Sequence, residues 1–183
     1  MSLDLRSDEP ADPVEQAREQ LDRMEEASRI AWDLDGTLLV YPDKLETAHP
    51  TDRFPHAEPC ETLCSVLRGA ENHRHIIVTG RSDDYEQLTL QQLTDAELDD
   101  HARELYMQEA WTGTEAYIDW ITTTIGALSA TEDGEDVPAD LYVGDLEANR
   151  EAAERAGVRY IDADELRSMA PYDRAELLRE IQH

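Results

Sequence analysis

The sequence predicts an α/β fold, a doubly wound three-layer domain with a parallel sheet between two helical layers and no large cap domain. Three observations carry that reading. Short apolar runs alternate with segments of helical period along most of the chain. The runs Ile30-Ala31-Trp32, His75-Ile76-Ile77-Val78 and Leu141-Tyr142-Val143 each lead into polar residues next to a glycine, as in Asp33-Leu34-Asp35-Gly36, Thr79-Gly80 and Gly144-Asp145. And 183 residues suffice for one well-buried domain but are short for two.

In chain order, residues 1–10 are polar and acidic without a clear period and are expected to fray; residues 11–183 read as the single domain. Pro13 after Asp12 suits a first helical turn, and Val14, Ala17, Leu21, Met24 and Ala27 recur at helical spacing, so a helix is expected beside the first strand. Ile30–Trp32 is that strand. Tyr41 to Phe54, with two prolines and little periodicity, reads as a loop, and the interval is too short for a folded cap. Pro55 opens a helix through Leu63, Val66 and Leu67 that closes near Gly69. After the strand His75–Val78, Asp83 to Leu93 is loosely helical, and Thr94-Asp95-Ala96-Glu97 reads as a capped restart reaching Ala102. A third strand covers Leu105 to Met107. Thr112 or Thr114 caps the next helix, with Ile118, Ile121 and Ile125 on its buried side, and Ser129 to Pro138 is an acidic loop. The strand Leu141–Val143 leads into an alanine-rich helix closed by Gly157; Val158–Ile161 is a fifth strand and Asp173–Ile181 a terminal helix.

The formal net charge is −27, from 43 acidic against 16 basic residues, and Lys44 is the single lysine. The acids are spread along the whole chain rather than gathered in a tail. That distribution suits a solvated acidic surface in a salt-rich, halophilic cytoplasm, where self-repulsion is screened. At low salt such a surface repels nucleic acid; at molar salt, where the Debye length is about 3 Å, net charge stops deciding partners. There is no apolar run of membrane-spanning length and no cationic, apolar leader, so a cytoplasmic protein without a membrane partner is expected. Cys60 and Cys64, four apart near His56, lack a further ligand close in sequence and read as a reduced, buried pair.

Two carboxylates one residue apart at a strand end, followed at once by Gly36-Thr37, place two acids where they face one substrate from different directions. A hydroxyl at the next strand end beside Gly80 suits a phosphoryl oxygen, and Arg81 offers a planar contact to phosphate. Asp33-Leu34-Asp35-Gly36-Thr37-Leu38 resembles the first motif of the haloacid dehalogenase (HAD) superfamily of phosphatases, Thr79-Gly80-Arg81 its second, and Gly144-Asp145 with Asn149 four places on its fourth. The first motif and Thr-Gly-Arg are also similar to the phosphatase domain of polynucleotide kinase-phosphatases. The resemblance implies a HAD-like fold and a magnesium-dependent phosphomonoester hydrolase. In it Asp33 is the nucleophile that forms an aspartyl-phosphate, Asp35 the general acid and base, and Thr79 a ligand of the transferring group. Magnesium ligands fall on Asp33, Asp35 through its backbone carbonyl, and Asp145. Asn149 stands where the family has a second acid, so it ligates through its amide oxygen or a water, with Glu147 the other candidate.

One departure stands out. The family's third motif supplies a lysine shortly before the fourth, yet no Lys, Arg or His occurs from Glu104 through Asn149. Three accounts are open: Lys44 reaches back to bind substrate, Arg81 does so from the second motif, or the chain is a non-catalytic module that binds magnesium and a phosphorylated ligand. The second aspartate favours phosphate chemistry over dehalogenation, and the missing cap predicts an open site suited to phosphorylated substrates as large as a polynucleotide end.

Overall fold

The computed structural model describes residues 28–45, 47–129 and 136–181, so the predicted frayed start and the helix over 12–27 lie outside the described residues. The strands are β1 (Arg29–Asp33), β2 (Leu39–Val40), β3 (Glu58–Pro59), β4 (Arg74–Ser82), β5 (Ala102–Gln108), β6 (Leu128–Ser129), β7 (Asp136–Val137), β8 (Leu141–Gly144) and β9 (Arg159–Asp162). The helices are α1 (Pro50–Arg53), α2 (Glu61–Gly69), α3 (Glu86–Asp95), α4 (Thr114–Gly126), α5 (Glu147–Ala156), α6 (Ala163–Ser168) and α7 (Pro171–Glu180).

Five strands form a parallel sheet in the order β5-β4-β1-β8-β9, with β1 at its centre. Both faces of β1 are covered, which is why it reads as an unbroken apolar run instead of an alternating one. Ile30 and Trp32 join the core built with Leu63 and Leu67 of α2, Leu93 of α3, Leu166 of α6 and Leu178 of α7. Ala31 faces the other way, into the core made with Ile118, Ile121 and Ile125 of α4 and Ala152 and Ala153 of α5. The chain thus winds on both sides of the sheet, as the alternation of strands and helices requires. Below the strand ends, the Trp32 indole N–H donates to Nδ1 of His75 at 3.0 Å, and Nε2 of His75 lies 2.9 Å from the Ala70 carbonyl. The ring is therefore a neutral Nε2–H tautomer, and burial lowers its pKa to about 4.

Several boundaries differ from the sequence reading. Pro55 does not open α2; it sits in a 3-10 turn, Phe54–His56, and Glu58–Pro59 pair antiparallel with Leu39–Val40 before the helix starts at Glu61. Strand β4 runs past the expected apolar stretch His75–Val78 and includes Thr79-Gly80-Arg81-Ser82. The predicted restart at Thr94 is absent: its hydroxyl donates to Leu90 O within α3, Glu97 turns left-handed at φ 56°, and Leu98 is drawn fully into the core. Neither Thr112 nor Thr114 caps α4, whose N-cap is Gly113. Helix α6, capped by the Asp162 carboxylate on the Asp164 N–H at 2.9 Å, was not foreseen. Both cysteines are free and buried, the Cys64 thiol facing the Leu38 carbonyl at 3.4 Å.

Candidate active site

The carboxyl ends of β1, β4 and β8 bring the expected residues together. Asp33 ends β1, is 3% exposed, and shares a hydrogen bond with Asp145 just past β8. Burial raises the pKa of both, and for Asp33 the charges of Asp145 and Asp35 add to that rise. Two buried acids in contact favour holding one proton between them. The space for Asp145 exists because residue 36 is glycine: φ is +83°, and a Cβ there would lie 2.0 Å from the Asp145 Oδ2. The other oxygen, Oδ1, is buried and unpartnered. An orphaned carboxylate oxygen beside a proton-sharing acid is a donor set suited to a hard divalent cation, so these residues fit magnesium. Among the described residues no three His, Cys, Asp or Glu side chains converge as a metal cluster.

Asp35 turns to other partners. It accepts from Arg81 through Nε at 2.9 Å to Oδ2 and Nη2 at 2.7 Å to Oδ1, a two-point fork, and from the Tyr41 hydroxyl. The remaining Arg81 nitrogen donates to Thr89 Oγ1 at 3.2 Å and Gln92 Oε1 at 2.6 Å, and the guanidinium stacks on Phe54 with its carbon 4.6 Å from the ring centroid. Burial works against its charge, but the hydrogen bonds and charge of Asp35 win and hold its pKa above the usual arginine value. Arg81 is thus 1% exposed with every nitrogen engaged inward, and it grips Asp35 rather than offering itself to phosphate. The segment between β2 and β3 forms the roof: Tyr41 reaches Asp35, Phe54 covers Arg81, and the Gln92 amide donates to the Phe54 carbonyl at 2.6 Å.

Thr79 is buried on β4, and its hydroxyl accepts from the Arg81 N–H at 3.3 Å. Gly80 leaves room for Tyr117, whose ring carbon would stand 2.7 Å from a Cβ at that position. Asn149 is fully buried; its Oδ1 accepts the Leu146 N–H at 2.9 Å, and its Nδ2 donates to the hydroxyls of Tyr142 at 2.9 Å and Tyr117 at 3.3 Å. Its Oδ1 and Nδ2 thus serve the start of α5 and two tyrosines. Glu147 points to solvent, with its carboxylate 3.4 Å from Arg150. Lys44 is exposed on the turn Asp43–Leu45 and makes no ion pair with Asp33, Asp35 or Asp145, all among the described residues.

The sequence reading missed four contributors. Tyr41 fell in the expected loop, Tyr142 in an apolar strand and Tyr117 in the expected helix, and none was singled out. Arg167 of α6 gave no signal, yet its Nη2 donates to the Gly36 carbonyl at 3.1 Å while it also pairs with Asp164, bracing the loop under Asp145 with a positive charge.

No family model matches the chain, and no curated protein matches it. Solved structures do. Two structures of the Pnkp1/Rnl/Hen1 complex, one described as an RNA repair complex, align at TM-scores of 0.57 and 0.56 with 13% and 14% identity over 74% of this chain. The chain spans 42% and 46% of those two chains, less than half their length. An uncharacterized protein from Listeria monocytogenes serotype 4b aligns at a TM-score of 0.51 and 16% identity, covering 74% of this chain and 77% of that one. The fold shared with those structures is α/β, a five-stranded parallel sheet flanked by helices, without a large cap among the described residues. No helix among those residues is long and apolar enough to cross a membrane.

Proposed function

We propose that the chain is a magnesium-dependent phosphomonoester hydrolase in which Asp33 attacks phosphorus and forms an aspartyl-phosphate. The observation that carries this reading is the buried Asp33–Asp145 pair at the strand ends, with the second aspartate of the same loop held apart from it on Arg81. Asp33, Asp145 and the Asp35 backbone carbonyl would hold magnesium, which would supply neutralisation of the charge that builds on the phosphoryl oxygens. Asp33, as an anion that no longer shares a proton with Asp145, is able to act as nucleophile. The Thr79 hydroxyl and the adjoining N–H groups hold the phosphoryl group. Asp35 protonates the leaving oxygen and later takes a proton from the attacking water; the Arg81 fork and the Tyr41 hydroxyl aim its carboxyl for both steps. Arg81 therefore acts on catalysis through Asp35. Arg167 brings a second cation to the first-motif loop through the Gly36 carbonyl.

The RNA repair complex that shares this fold makes phosphorylated strand ends a substrate to test beside small esters. A second reading, a binding module that holds magnesium and a phosphorylated ligand without turnover, draws on the same engagement of Arg81 and on the absence of a third-motif cation. The test is magnesium-dependent phosphate release from an aryl phosphate in molar potassium chloride, with Asp33→Asn beside the wild type. Turnover that falls at least about a thousandfold in the variant is the expected result. An unchanged rate in Asp33→Asn removes the nucleophile, and a folded wild type that binds phosphate but releases none from any ester favours the binding module.

A further inference from the structure

The loop that follows Asp33 closes on itself through two backbone bonds, Gly36 N–H to the Leu39 carbonyl at 2.7 Å and Leu39 N–H to the Leu34 carbonyl at 2.8 Å. Neither uses the Gly36 carbonyl. That oxygen is met from far along the chain by Arg167, whose Nη2 donates to it at 3.1 Å. The sheet order shows what such a reach entails. Strand β8 lies between β1 and β9, and α6 follows β9 at once, so a side chain of α6 that meets the β1 loop passes the end of β8, where Asp145 sits. Ala163 and Leu166 of α6 are fully buried in the core that holds Ile30 and Trp32 of β1, which fixes the base of Arg167 relative to the strand ending in Asp33.

What this bridge does follows from what it touches. Gly36 is left-handed and lies so close to Asp145 that a Cβ there would stand 2.0 Å from Oδ2, so a small shift of its peptide changes the room left for that carboxylate. The guanidinium has two holds, Nη2 on the Gly36 carbonyl and Nη1 on Asp164, while its Nε is buried without a partner. Asp164 offsets much of its charge, which leaves Arg167 a weak repeller of a nearby cation. Resting on the reading above that Asp33 and Asp145 hold magnesium, we propose that Arg167 is a positioning residue. By holding the Gly36 carbonyl it keeps the first-motif loop against Asp145, and so keeps Asp33 and Asp145 at the separation that seats a divalent cation. Position and charge predict opposite signs here. Removing a mere positive charge would tighten metal binding, whereas removing a brace loosens it.

The test measures binding of manganese ion by electron spin resonance on the full chain, beside magnesium-dependent release of phosphate from an aryl phosphate. Arg167→Met keeps the length of the side chain and loses its donors. It should weaken manganese binding about tenfold or more, the loss usual when a group that orients a metal ligand is removed. At saturating magnesium its kcat and its KM for the ester should stay close to those of the wild type, because the metal's affinity is what it lacks. Arg167→Lys, which keeps one donor in place of the fork, should fall between the two. Arg167→Gln, too short to reach the carbonyl, should show the same loss as Arg167→Met and replaces it if that variant does not fold. A folded variant that binds manganese as tightly as the wild type, or more tightly, overturns the proposal. So does a raised KM for the ester with metal affinity unchanged, which would put Arg167 on the substrate. Manganese binding that is strong in the wild type and weak in Arg167→Met, with no phosphate released from any ester, would sink the hydrolase reading and leave the positioning role standing. Turnover in the wild type with equal manganese binding in both proteins would do the reverse.

Discussion

Arg81 places a full charge where almost none of it meets water, and it is tolerated because Asp35, Thr89, Gln92 and Phe54 together replace the solvent it lost. Removing it by Arg81→Gln should cost roughly 3 kcal/mol in urea unfolding, at the low end for a broken buried pair because Asp35 can still reach water. Arg81→Lys, which keeps the charge but not the fork, should lower kcat about 10- to 100-fold with little change in KM, since what suffers is the aim of Asp35. Asp33 behaves in the opposite sense. Its folded pKa lies above the ordinary carboxylate value, so the stability it contributes is present below its unfolded pKa and is lost as pH rises through the folded one. In metal-free protein at neutral pH, Asp33→Asn should therefore raise stability by about 1–2 kcal/mol while abolishing turnover, a trade measurable by thermal melts in a chelator. His75 is a group held neutral: its folded pKa is near 4 against 6.5 unfolded, so its contribution is complete above 6.5 and is lost as pH falls towards 4. About 3 kcal/mol should disappear across that window, and His75→Gln should flatten the corresponding stretch of the stability–pH curve.

At the scale of elements, the start of α5 shows why an amide replaces the expected acid. The Asn149 oxygen takes the Leu146 N–H while its nitrogen serves two tyrosine hydroxyls, a division of labour that a carboxylate cannot perform. Asn149→Asp would keep the cap but lose both donors and add a third acid beside Asp33 and Asp145; it should lower the melting temperature at neutral pH and recover at acid pH, checked by paired melts. The strands of the sheet and helices α4 and α5 were legible in the sequence because both faces of the sheet are covered, which leaves unmistakable apolar runs such as Ile76-Ile77-Val78. Asp33, Asp35, Thr79 and Asp145 were legible because they sit where those runs stop. Helix boundaries were not: Pro55 looks like a helix start until Glu58–Pro59 is claimed by Leu39–Val40, and Thr94 looks like a cap until Leu98 is pulled into the core. The inward grip of Arg81 and the arrival of Arg167 were equally hidden, since both depend on which helix covers which strand end.

For the whole molecule, a formal charge of −27 acts as a spring held in by packing, and the described ion pairs lie largely at the surface, where each contributes little. Potassium chloride raised from about 0.1 M to about 2 M should increase the melting temperature by several degrees, because screening of like charges outweighs loss of those weak pairs. A melting temperature unchanged or lowered by salt would show that the acids do not repel one another enough to matter. The position of β1 has a further consequence, for the order of assembly. Its neighbours on either side are β4 and β8, and Ile30 pairs with both His75 and Leu141, so the centre of the sheet waits for strands made much later. During synthesis Asp33 emerges well before Asp145, and the two cannot meet until β8 has been made. Closing so long a loop makes productive folding a late, slow event, and a chain cut short before β8 leaves an exposed strand instead of half an active site.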